Sequence, residues 1–194
     1  IDAAVELSLR PDIVLATFGD MVRVPGTRNS LEQARAKGGR VEVVASPLSV
    51  VDTAQRDSAT QYVFAAVGFE TTVPVVARAV ELAAERNLAN VRFLVAHRIL
   101  PPALEALCAD TEIGLSGFLL PGHVSAVIGA DAYKQIRGLD VPGVVTGFEP
   151  LDILGGLHTL LACIADGGAE IRNEYRRAVK PEGNPMACAL IDKV

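Results

Sequence analysis

Apolar residues fall into two alternating patterns along the chain. Short runs rich in β-branched residues read as strands: IVLAT (13–17), VEVVA (41–45), YVFAAV (62–67), VRFLVA (91–96), GFLL (117–120) and GVVT (143–146). Each is followed by a stretch with helical spacing: LEQARAKG (31–38), PLSVVDTAQRD (47–57), PVVARAVELAAERN (74–87), PPALEALCAD (101–110), VSAVIGADAYKQIRG (124–138) and LDILGGLHTLLACIADG (151–167). Ser30 and Gln33 form a capping box ahead of the first helix, and Gly38 and Gly39 end it. Pro74 suits a first helical turn.

Strands that are apolar throughout and joined by helices predict parallel sheets with helices on both faces. Right-handed crossovers then make a Rossmann-like α/β fold. Six strand–helix units are too few for an eightfold barrel. The expected division is 1–58 as part of a first α/β domain, 59–166 as a second, and 167–194 as a return segment. That last piece is more charged, begins with the near-alternation AEIRNEY, and predicts an extended stretch and then a short helix.

Composition narrows the classes without changing this picture. Half of the 194 residues are apolar, which is too many for a disordered chain. The formal net charge of −5 argues against a protein that coats nucleic acid, an affinity that needs clustered Lys and Arg. No apolar run reaches membrane-spanning length, and the start shows no basic region leading into an apolar one, so a cytoplasmic protein is expected. The three cysteines, Cys108, Cys163 and Cys188, are far apart in sequence, with no close metal-ligand pair. Cys108 and Cys163 sit in apolar helical patterns, as buried thiols would.

In open α/β sheets, ligands bind beyond the carboxyl ends of the strands. Those ends carry a distinctive polar set here: Asp20 and Arg23 in TFGDMVRVPG, Glu70 and Thr71 in GFETT, His97 in AHRILPP, His123 and Ser125 in PGHVS, and Glu149 and Asp152 in GFEPLD. The Gly-Phe-Glu turn occurs twice, at 68–70 and 147–149, hinting at two related halves. In such a turn, Gly allows close approach, Phe can fold back as an anchor, and Glu stands at a helix start. The plainer reading is that both glutamates only stabilise the following helices.

His123 can exchange a proton or ligate a metal, or it can simply be hydrogen-bonded in its turn. His97 and His158 read as structural. Asp20 and Arg23 are three residues apart and could do no more than pin their own loop. The basic residues at 172, 176, 177 and 180 are diluted by glutamates and read as a solvated face. There is no GxGxxG, GxxxxGK[ST], GxSxG or HExxH motif, so no dinucleotide, P-loop, hydrolase or zincin chemistry is supported. A stand-alone small-molecule enzyme and a pure interaction module remain as alternative readings.

Read together, TFGDMVRVPGT (17–27), SLEQARAKG (30–38), VGFETTVP (67–74), the His97–Pro102 turn, GFLLPGHVSAVIG (117–129), GFEPLDIL (147–154) and NEYRRAVKPEGN (173–184) resemble the HypD family of [NiFe]-hydrogenase maturation factors. The resemblance implies a scaffold that works with a HypC-type chaperone and HypE to assemble the Fe(CN)2CO unit. It implies a redox role rather than that of an ordinary enzyme. It also implies a [4Fe–4S] cluster, and thiolates holding the iron. The family's CPVC pair and cluster cysteines are not found here, and this sequence looks like the middle of a protein nearly twice as long. The residues that the resemblance puts in an outer-shell or proton-handling role are His123, Glu70, Glu149, Asp20, Arg23, Thr71 and Asp152.

Overall fold

A computed structural model describes residues 1–136 and 139–193. The chain forms two compact units: residues 1–68 with 72–97, and residues 69–71 with 98–194.

The first unit has a four-stranded parallel sheet, ordered β2 (Val41–Val43), β1 (Ile13–Thr17), β3 (Gln61–Gly68), β4 (Val91–His97). Side-chain alternation along the strands supplies two cores. Ile13, Leu15, Val63 and Ala65 pack against α1 (Asp2–Ser8) and α2 (Leu31–Ala36). Ala16, Tyr62, Phe64 and Ala66 point the other way, against α3 (Pro47–Arg56) and α4 (Val73–Glu85). Helices therefore cover both faces, as the strand composition predicts. The Ser30–Gln33 capping box forms in both directions. Helix α1 has no counterpart in the predicted elements. Its Asp2 carboxylate accepts the Thr27 N–H at 2.7 Å and the Thr27 hydroxyl, tying down the loop after β1.

The second unit has a three-stranded parallel sheet of β5 (Phe118–Pro121), β6 (Gly143–Thr146) and β7 (Ile171–Asn173), in that order. Its helices are α5 (Leu100–Ala109), α6 (Gly122–Ile128), α7 (Pro150–Ala165) and α8 (Pro185–Ile191). Leu104, Leu120, Tyr133, Val145 and Val179 form its core.

Three expectations change. Residue 58 lies between α3 and β3, but β3 pairs with both β1 and β4, so the first sheet runs on to residue 97. Alternating strands and helices give the order of elements but not which strands pair. The helix expected over 124–138 is split: Gly129, at φ 87°, ends α6, and a 3-10 turn covers Ala130–Gln135, while 137 and 138 lie outside the described residues. Third, the extended part of the 167–194 segment is itself a sheet strand, β7, paired parallel to β6.

Cys163 is buried as expected, whereas Cys108 is half-buried. His158 stands exposed on α7. Among the described residues, no helix is long and apolar enough to cross a membrane.

Candidate functional site

The strand-end residues divide between the units. In the first, Asp20 lies exposed in a 3-10 turn, Gly19–Arg23, directly after β1. Arg23 does not pair with it but reaches Glu32 on α2 at 3.6 Å, with both side chains largely exposed. His97, the last residue of β4, is half-buried, and burial pushes its imidazole below the usual histidine range, toward the neutral form.

The second unit gathers the rest. The two Gly-Phe-Glu turns do different things. Phe69 and Phe148 are 50% and 66% exposed, so neither phenyl folds back as an anchor. Glu70 is 2% exposed, and one carboxylate oxygen accepts the backbone N–H of Leu100, the first residue of α5. It thus caps a helix thirty residues away, where Ile99 offers no side-chain cap. Thr71, beside it, is exposed. Replacing Glu70 by Ala strands that N–H, and should lower stability by about 1–3 kcal/mol in denaturant unfolding. Glu70→Gln keeps an acceptor and should lose less.

At the second turn, Glu149 is exposed and Asp152 is nearly enclosed. The Arg177 guanidinium grips Asp152 through both oxygens, at 2.7 and 2.6 Å, and reaches Glu149 at 3.1 Å. Side-chain exposures of 10% for Asp152 and 77% for Glu149 make the first contact the anchor and leave the second screened by water. The Arg177 hydrogen bonds hold the Asp152 carboxyl below its ordinary range, so it stays ionised near neutral pH. Arg177 also lies over the Tyr175 ring, 4.5 Å from its centroid.

His123, the second residue of α6, is exposed, its ring 4.8 Å from that of Phe148 and tilted by 43°. Beneath it, the Ser125 hydroxyl donates to the Pro121 carbonyl at 2.8 Å. Its only proton is thereby committed, so the Tyr133 hydroxyl, also at 2.8 Å, donates to Ser125. Burial pushes Tyr133 up to about 12, which keeps that donor protonated.

The arrangement therefore presents one accessible imidazole beside an exposed phenyl, next to carboxylates already occupied by an arginine. An imidazole there can donate or accept a hydrogen bond and carry a proton. Sequence reasoning placed Arg177 on a solvated face and passed over Tyr175 and Tyr133. A usable signal existed: the strand-end rule, applied to β7, selects the segment that holds Tyr175 and Arg177.

The whole chain, residues 1–194, matches the sequence model of the HypD family, described as hydrogenase formation hypA family. The chain belongs to the HypD family. It is 42% identical to the hydrogenase maturation factor HypD of Escherichia coli K12 over 195 residues, covering all of this chain and 52% of that protein. The HypD of Rhodobacter capsulatus is 41% identical, again with all of this chain and 52% of the relative covered. For that of Cupriavidus necator the identity is 36%, covering all of this chain and 53% of the relative. The chain thus spans about half the length of these HypD proteins.

The thiols do not fit a [4Fe–4S] cluster, which needs about four converging thiolates. Cys163 is buried in α7, Cys108 is on α5, and Cys188 on α8 donates its S–H to the Val127 carbonyl. Among the described residues, no three His, Cys, Asp or Glu side chains converge on a metal site.

Proposed function

We propose that this chain supplies the outer-shell wall of a scaffold on which the Fe(CN)2CO unit of [NiFe]-hydrogenase is assembled in the cytoplasm, together with a HypC-type chaperone and HypE. The observation that carries this reading is the family match along the entire chain. Iron with its cyanide and carbonyl ligands is the substrate. The thiolates that hold it, and a [4Fe–4S] cluster, belong to the half of the family's length that this chain does not match.

In this reading His123 donates a hydrogen bond or a proton toward a cyanide nitrogen during ligand delivery. Phe148 stands beside that imidazole, with the ring centroids 4.8 Å apart. Asp152 and Glu149 act through Arg177, and Glu70 acts by fixing the start of α5. Asp20, Arg23 and Thr71 are exposed polar groups that can hydrogen-bond substrate or partner.

A segment exchange tests the reading. The 195-residue stretch of the Escherichia coli relative that aligns here is replaced by this chain, in cells lacking their own copy. Hydrogenase activity should return to within about tenfold of that given by the intact relative. A stably produced exchange protein that leaves the cells without any activity would sink the proposal.

A further inference from the structure

The Tyr175 ring packs at the edge of the second unit's core. It lies against the backbone of both turns that carry the exposed rings. A Cβ added at Gly122, the residue before His123, would stand 2.5 Å from Tyr175 Cδ1 and 2.5 Å from the Thr146 carbonyl oxygen. One added at Gly147, the residue before Phe148, would stand 2.7 Å from Tyr175 Cε2 and would collide with the Asp152 carboxylate. Neither glycine has positive φ. Both are required for space, and Tyr175 takes up that space at both.

The ring is itself held. Arg177 covers its face at 4.5 Å, and Arg177 is fixed in turn by the two-point grip on Asp152. The Tyr175 backbone N–H donates to the Asn173 side chain at 2.9 Å, which fastens the turn leaving β7. β5 and β6 are paired up to Pro121 and Thr146, so the aromatic plate acts just beyond that ladder, against the two glycines that lead into His123 and Phe148, whose rings stand 4.8 Å apart.

We propose that Tyr175, held by Arg177, is the positioning residue for the His123–Phe148 pair. The proposal deepens the reading of His123 above and rests on it for its significance. It also explains what Asp152 does: the carboxylate anchors Arg177 over the plate.

The test measures geometry, not maturation, so an inert His123 in cells would overturn the functional reading and leave this one standing. In the 194-residue chain, ring-to-ring nuclear Overhauser cross-peaks between His123 and Phe148 are compared among variants. Tyr175→Phe keeps the plate and should keep the cross-peaks. Tyr175→Leu should reduce them at least twofold. Full-intensity cross-peaks in a folded Tyr175→Leu chain would overturn the proposal, as would an equal loss in Tyr175→Phe. If Tyr175→Leu does not fold, Arg177→Gln gives the same measurement. Weakened cross-peaks then support the proposal and unchanged ones overturn it.

Discussion

Replacing Tyr133 by alanine is expected to cost the second unit about 3–5 kcal/mol, the range found when a buried aromatic is cut back to a methyl group. Tyr133 is fully enclosed and sits in the core with Leu104, Leu120, Val145 and Val179. The 3-10 turn that carries it has no long helix to take up the void. The loss should be visible as faster amide exchange in β5 and β6, with β1 and β3 of the other unit little affected. Tyr133→Phe isolates the hydroxyl. It removes one hydrogen bond to Ser125 and should cost only about 0.5–1.5 kcal/mol.

The same hydroxyl gives a pH signature. Burial raises the folded-state value to about 12, above the roughly 10 of an unfolded tyrosine. The folded state holds the proton more tightly, so this contribution is intact below about pH 10 and is lost as the pH rises toward 12. Tyr133→Phe should flatten that alkaline decline. An equally steep decline in the variant would show that Tyr133 is not its source.

Under the function proposed above, replacing His123 by alanine in the full-length protein carrying this segment is expected to lower hydrogenase maturation by about 10²-fold or more, the contribution of a positioned proton donor. The cyanide and carbonyl infrared bands of the complex with the HypC-type partner should weaken with it. The imidazole is exposed, so the substitution leaves no core void and a folding defect does not confuse the outcome. His158→Ala is the matched control: also exposed, but in the middle of α7 and away from the strand ends. Unchanged bands and unchanged maturation in His123→Ala would remove His123 from the mechanism.

Much of the fold is legible in the sequence because strand and helix periodicity are local. The runs at 13–17, 62–67 and 143–146 are strands in the structure, within a residue or two at their ends, and the Ser30–Gln33 box forms as read. What failed depended on distant residues. The boundary near 58 went wrong because β3 finds partners on both sides in one sheet. The single helix over 124–138 breaks at Gly129, where a Cβ would strike the Pro181 carbonyl oxygen from another part of the chain.

The site shows the same split. Which polar residues stand at strand ends follows from the strands, so Asp20, Glu70, Thr71, His123, Glu149 and Asp152 could be named from sequence. Their individual situations could not. Glu70 and Glu149 sit in the same tripeptide, yet one is buried under a remote helix start and the other is in water beside Arg177.

By itself, then, the sequence determined the kind of fold, the family and the residues at the strand ends, because these rest on local periodicity and on motifs read along the chain. Only the tertiary structure decided which carboxylates are occupied, which phenyl rings are exposed, and that Tyr175 fills the space beside Gly122 and Gly147. Those outcomes depend on which atoms meet across 25 to 53 residues of chain, and a one-dimensional pattern of apolar and polar positions does not carry that information.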